Sequence, residues 1–200
     1  MDTTIECRPC LPTDDREAIA LCLYQTDPYI YPHLGGGDKA RAIALLARCV
    51  DLPKNPHYYE NLTVALIEGR IVGVICTITD GYEYSFLEGL SIPEEDLPCV
   101  RHVNEGYYLP LIEENLEIPG DTIVNVCTLD ESRGKGVASA LLGYYLEHRV
   151  RAYPIYLDVI ADNDAAIRLY ERYGFRLLKE RNGYRPSGEP LLCRFYRKEK

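Results

Sequence analysis

Apolar and polar positions change period several times along the chain, and each change marks an element. Thr3 to Arg8 alternates as a short strand. Pro12-Thr13-Asp14-Asp15 then opens a helix with acidic residues at its positive end, and Ile19, Leu21, Cys22 and Leu23 carry it to about Gln25. Gly35-Gly36-Gly37 is a breaker, Asp38 to Asp51 is a second amphipathic helix, and Pro53 and Pro56 end it. Leu62 to Ile67 and Ile71 to Thr79 are β-rich runs joined by Glu68-Gly69-Arg70, which predicts a hairpin. Residues 80–120 carry four prolines and predict one or two short helices in irregular chain. Asp121 to Leu129 reads as a strand. Arg133 to Arg149 reads as a helix with a stripe at Ala138, Leu141, Leu142, Tyr145 and Leu146. Pro154 to Ile160 is the next strand.

A short helix with defined ends follows. Asp162 or Asn163 can cap its start, Ala166, Leu169, Tyr170 and Tyr173 recur at helical spacing, and Gly174 is placed for a left-handed stop. Phe175 to Glu180 and Leu191 to Tyr196 are the last strands, around a turn rich in Asn182-Gly183 and Pro186-Ser187-Gly188. The order β-α-α-β-β-(α)-β-α-β-α-β-β predicts an α/β fold. No linker is long enough to split residues 1–200 into two domains.

Charge narrows the function classes. The balance of 22 Lys+Arg against 31 Asp+Glu is −9, which disfavours nucleic acid as a general partner. No apolar run approaches the roughly 18 residues of a membrane span. The opening MDTTIECRPCLPTDD has no basic segment followed by an apolar one, so the expected location is cytoplasmic and the eight cysteines are expected to be reduced. Cys7-Arg8-Pro9-Cys10 is a CxxC without a second close pair. It reads as two small apolar residues at a strand end rather than as half a zinc site, and no metal is expected.

The chemistry is concentrated after the strand at 121–129. Arg133-Gly134-Lys135-Gly136-Val137-Ala138 opens a helix with two glycines and an alanine in six residues. Such a turn lets a ligand approach the backbone, and the helix start offers unpaired N–H groups and partial positive charge, an anion site suited to phosphate or pyrophosphate. A Walker loop fails because Gly136 follows Lys135. A dinucleotide fingerprint fails because Ser139 stands where a third glycine is needed.

Arg-x-x-Gly-x-Ala at 133–138 resembles the acyl-CoA-binding motif of the GNAT superfamily of N-acetyltransferases. Asn163 to Phe175, with Leu169-Tyr170 and Gly174-Phe175, resembles that family's next motif, and Ile5-x-x-Arg8-Pro9 resembles its first strand. The resemblance is strongest over about 121–181, which it identifies as the CoA-binding core, with 80–120 as the variable acceptor-side segment. It implies a single GNAT-like domain: a mixed, mostly antiparallel sheet of about six to seven strands flanked by helices and splayed at strands 4 and 5. It implies acetyl-CoA as co-substrate. Its pyrophosphate would lie on the amides of Arg133, Gly134, Lys135, Gly136, Val137 and Ala138, and its pantetheine arm along Val126, Cys127 and Thr128. Asn163 would contact the cofactor, cap its helix, or do both.

Tyr170 would be the general acid, donating to the departing thiolate. The base is open among Glu105, Glu83, Glu88, Asp121 and a water, with Glu105 the leading candidate. Asn125 and Cys127 share a strand face by alternation, and a Cys127 nucleophile lacks a supporting histidine. The implied activity is direct transfer of acetyl to a primary amine of a small molecule or peptide. The alternatives are a CoA-sensing domain, or another acyl donor or acceptor. Segment 80–121 holds eleven acidic residues against Arg101 alone, which favours a cationic acceptor if that segment rims the pocket. A monomer and a homodimer paired through edge strands near 191–196 are both open.

Overall fold

The computed structural model describes residues 4–27, 30–79, 85, 90, 92, 94, 97–103, 119–185 and 188–200. Two N-terminal helices begin at aspartates that satisfy orphan amides. Asp15 accepts from the Glu17 and Ala18 N–H groups at the head of α1, Arg16–Thr26, and Asp38 accepts from Arg41 at the head of α3, Lys39–Cys49. Between them lies α2, Tyr31–Leu34, a single turn with Pro32 in its first positions. It escaped the sequence reading because four residues are too few to show a period. In the segment expected to be irregular, α4 spans Leu97–Val103.

The strands are β1 Glu6–Pro9, β2 Leu62–Ile67, β3 Arg70–Thr79, β4 Asp121–Thr128, β5 Ile155–Ile160, β6 Arg176–Tyr184 and β7 Pro190–Lys198. They form one seven-stranded sheet in the order β1-β2-β3-β4-β5-β7-β6. Every pairing is antiparallel except β4 with β5. Glu68 and Gly69 both have positive φ, 51° and 75°, the two-residue turn that matches strand twist in the β2–β3 hairpin.

Three expectations need correction. The helix after β4, α5, runs Val137–His148, so residues 133–136 are loop and Gly136, at φ 87°, is its N-cap. Strand β6 continues through Asn182-Gly183 to Tyr184, and the turn that closes it is Arg185–Glu189. Strand β7 lies between β5 and β6, so residues 191–196 are no edge; the outer strands are β1 and β6.

Two apolar layers cover the two faces of the sheet. On one, α1 and α3 bury Ile19, Leu23, Leu45 and Leu46 against Val64, Val74, Cys76 and Cys127. On the other, α5 and α6, Asp164–Arg172, bury Leu141, Tyr145, Ile167 and Tyr170 against Ile75, Ile123, Leu157 and Val159. Each large apolar side chain so removed from water contributes about 1.5–3 kcal/mol. Cys7 packs with the second layer and Cys10 with the first, so the CxxC thiols serve opposite faces as small apolar groups.

The feature that places the site is where β4 and β5 part. They pair only at Asp121–Ile155, Thr122–Tyr156 and Ile123–Leu157. A bulge in β4 stands at that point: Thr77 pairs with Ile123 and Cys76 with Asn125, which leaves Val124 extra. An extra residue bends its strand and re-aims the side chains beyond it. Residues 124–128 of β4 and 158–160 of β5 therefore flank a split.

Candidate active site in the split sheet

Beyond the end of β4, a 3₁₀ turn at Asp130–Ser132 delivers the chain to the loop 133–136. Gly134 and Gly136 both take left-handed conformations, φ 75° and 87°, and a Cβ at either would meet nothing within 4 Å. The loop backbone thus faces open space, and only glycine adopts these angles without strain. The first intrahelical bond of α5 runs from Ala140 N–H to Gly136 O. The amides of Val137, Ala138 and Ser139 precede it, and no side chain caps them. Gly73 in β3 lets this turn sit directly on the sheet, since a Cβ there would lie 2.7 Å from Val137 Cγ1 and 2.8 Å from the Cys127 carbonyl oxygen.

These amides border a cavity of about 460 Å³. One wall is Thr128, Arg133, Gly134, Gly136, Val137, Ala138 and Ser139; the other is Ala165, Arg168, Leu169 and Arg172 of α6. The Tyr173 hydroxyl ties the walls together by donating to Ser139 O at 2.8 Å. Arg133, Arg168 and Arg172 all line this cavity, Arg133 paired with Asp130 at 2.8 Å, so its lining carries a surplus of positive charge in a chain of net charge −9. The Thr128 hydroxyl is buried and has no hydrogen-bond partner among the described residues. Such orphan groups are costly, and a ligand that supplies a partner is favoured.

Of the candidate cofactor residues, Thr128, Arg133, Gly134, Gly136, Val137 and Ala138 line this cavity. Val126, Cys127, Lys135 and Asn163 are not in its lining. Asn163 Oδ1 accepts from Ala166 N–H at 3.1 Å, so it caps α6. Cys127 is 1% exposed, accepts from Thr26 Oγ1, and points into the α1 layer. Burial pushes its thiol up to about 12, against a smaller opposing effect of the Thr26 bond, so the nucleophilic thiolate is disfavoured. Asn125 lies on the same side, with Oδ1 3.0 Å from His57 Nε2 and Nδ2 donating to Tyr31 Oη at 3.2 Å. That contact binds α2 and the chain before β2 to the bulged part of β4. The sequence reading missed the wall from α6; Arg168 and Arg172, one turn apart on one helix face, were its signal.

Tyr170 is held by the end of its own helix. Gly174, at φ 85°, sends its N–H to Glu171 O at 3.0 Å, and Phe175 N–H bonds Tyr170 O at 3.1 Å. This paired stop brings Phe175 against Tyr170, with rings 6.0 Å apart and nearly edge-on. Tyr170 is 7% exposed. Burial first, then the charges of Asp158 on β5 and Cys127 on β4, hold its phenol well above the usual range. Its phenol therefore stays protonated at neutral pH.

The candidate bases divide. Asp121 is 1% exposed and accepts from Tyr145 Oη, Arg151 N, Ala152 N and Thr79 Oγ1 at 2.8–3.1 Å. It sits where β4 and β5 are still paired, and its lone pairs are committed to the fold. Glu105, Glu83 and Glu88 lie outside the described residues.

Residues 100–175 match the model of the acetyltransferase (GNAT) family. That stretch carries both motifs, the split and the cavity. Over that stretch the chain is similar to the GNAT superfamily. Two curated N-alpha-acetyltransferases are similar to it over 95 residues, at 35% identity in Saccharolobus solfataricus and 30% in Sulfurisphaera tokodaii. Each match takes in 42% of this chain and 57% of the relative, so it spans little more than half the relatives' length. The fold is shared more widely. An N-acetyltransferase structure from Staphylococcus aureus Mu50 superposes with a TM-score of 0.71 at 20% identity, over 96% of this chain and 99% of that one. Among the described residues no group of three or more His, Cys, Asp or Glu is placed to hold a metal, and no helix is long and apolar enough to cross a membrane.

Proposed function

We propose that this chain is an acetyl-CoA-dependent N-acetyltransferase that moves acetyl directly to a primary amine of a peptide or small molecule. The observation that carries the reading is the junction of an uncapped helix start, two left-handed glycines and a guanidinium-lined cavity with a split in the sheet. The residues fit the cofactor. The amides of residues 134–138 suit a pyrophosphate, Arg133, Arg168 and Arg172 supply countercharge, and the orphan Thr128 hydroxyl offers a hydrogen bond where an extended arm would enter. The unpaired edge of β4 after Ile123 can pair with that arm as an added strand would. The N-alpha-acetyltransferase relatives favour a peptide α-amine among possible acceptors.

When bound, acetyl-CoA supplies an activated thioester carbonyl. Tyr170 then acts as hydrogen-bond donor to the departing sulfur. Its raised pKa makes complete proton transfer uphill, so it stabilises the developing thiolate while the proton released from the amine neutralises it. The protein's remaining tasks are to orient the amine and accept its first proton.

Calorimetric titration tests the reading. Acetyl-CoA and desulfo-CoA are expected to bind, NAD is not, and Gly136→Asp is expected to abolish binding by placing a carboxylate in the anion site and straining a left-handed position. Thiol release in the presence of peptide amines would then establish transfer. A wild-type protein that binds no CoA compound contradicts the proposal. Binding without thiol release for any amine would favour a sensor.

A further inference from the structure

We propose that Gln25, in the last turn of α1, is a positioning residue for the cofactor loop, and that through it acetyl-CoA binding is coupled to the end of α1 and to α2. This rests on the transferase reading and adds to it a residue outside the cavity lining that controls the loop.

The Asp130 N–H heads the 3₁₀ turn Asp130–Ser132, so no carbonyl within the turn can accept from it. Gln25 Oε1 takes it at 2.9 Å, from a helix 105 residues earlier in the chain. The bonds of the turn then run onward, Ser132 N–H to Leu129 O at 2.8 Å and Arg133 N–H to Asp130 O at 3.2 Å. Leu129 N–H is itself fixed to Val72 O of β3 at 2.9 Å. The turn that delivers the chain to the glycine loop is therefore held on one side by the sheet and on the other by Gln25.

The same residue reaches the cation of the loop. The last carbonyls of a helix lack intrahelical partners, and that end carries partial negative charge. Arg133 Nη2 donates to Gln25 O at 3.5 Å and lies 2.8 Å from Asp130 Oδ1. Arg133 is also part of the cavity lining. Its guanidinium is placed there by the Asp130 carboxylate and by the end of α1, and Gln25 joins those two.

Three contacts tie the end of α1 and the start of α2 to β4 and the turn beyond it. Asn125 Nδ2 donates to Tyr31 Oη at 3.2 Å. Thr26 Oγ1 donates to Cys22 O at 3.1 Å and meets Cys127 Sγ. Gln25 holds Asp130. All three partners, at 125, 127 and 130, lie beyond the bulge at Val124, where β4 has left β5. Of the three contacts, the one made by Gln25 reaches the cavity lining, through Arg133. A ligand that orders the loop thus orders the end of α1 as well, and what restrains α1 acts back on the ligand to the same extent.

The test uses acetyl-CoA on the whole chain, by calorimetry and by amide hydrogen exchange. Gln25→Met keeps the length of the side chain and removes the acceptor. It is expected to weaken acetyl-CoA binding roughly 3- to 10-fold, with the urea midpoint of unfolding unchanged. In wild type, acetyl-CoA is expected to slow exchange in the loop, at Asp130, and at the amides of Thr26 and Tyr31. In Gln25→Met the slowing is expected to stop at the loop. Gln25→Glu offers an oxygen to the same N–H and is expected to restore slowing at Asp130 and Tyr31. Wild-type affinity in Gln25→Met, with or without a lowered urea midpoint, overturns the proposal. So does slowing at Thr26 and Tyr31 that survives Gln25→Met, or that Gln25→Glu fails to restore. A wild type that binds no acetyl-CoA removes the transferase reading itself, and this inference with it.

Discussion

Two aspartates on neighbouring parallel strands have opposite fates. Asp121, at the head of β4, is buried where the strands pair and accepts four hydrogen bonds, from two backbone amides and two hydroxyls. Asp158, on β5 three residues past the residue paired with Asp121, accepts none from a side chain among the described residues and stands where the strands have parted. Asp121 is buried and Asp158 half-buried. The two differ as well in how many of their lone pairs the fold engages, and one bulged residue, Val124, separates the two environments.

The largest effect is expected from Asp121→Ala. It leaves two amides and two hydroxyls buried without their acceptor, which should cost roughly 3–5 kcal/mol in denaturant unfolding. A cost under about 1 kcal/mol would mean the network is not structural.

Next is Tyr170→Phe, expected to lower kcat/KM roughly 100-fold and to leave acetyl-CoA affinity unchanged by calorimetry. Stability should move little, because the hydroxyl has no hydrogen-bond partner among the described residues. A loss of affinity in place of rate would make Tyr170 part of the binding wall.

The smallest is Asp158→Asn on stability, with a sign opposite to Asp121. An unfolded aspartate titrates near 3.9, and folded Asp158 near 6. The native state therefore holds the extra proton, so the contribution of this group is fully present below about pH 3.9 and is lost as pH rises through 6. Asp158→Asn should flatten that part of the profile and stabilise the protein at pH 7 by about 1–2 kcal/mol, after allowance for partial exposure. Destabilisation at pH 7 would show that Asp158 is committed to the fold as Asp121 is.

Much of this frame was legible in the residues. Asp15, Asp38, Asn163 and Gly174 marked helix ends because capping is local chemistry. The glycines at 134 and 136 marked an anion site for the same reason, although the helix itself starts four residues later than its apolar stripe suggested. Asp158 was not legible. Its surroundings depend on a bulge in another strand, on the end of α1, and on a tyrosine in the next element, none of which leaves a periodic mark near residue 158. Asp121 misled for a complementary reason: a strand's start and a carboxylate suggest a base, and only tertiary contacts reveal four donors waiting for it.

The most direct measurement is a crystal structure with acetyl-CoA. The account predicts pyrophosphate oxygens at about 2.7–3.2 Å from the amides of Gly134, Gly136, Val137 and Ala138 and the thioester in the β4–β5 split, with Tyr170 on the sulfur side. Acetyl-CoA seated elsewhere, or a thioester that enters the cavity without reaching the split, would contradict it.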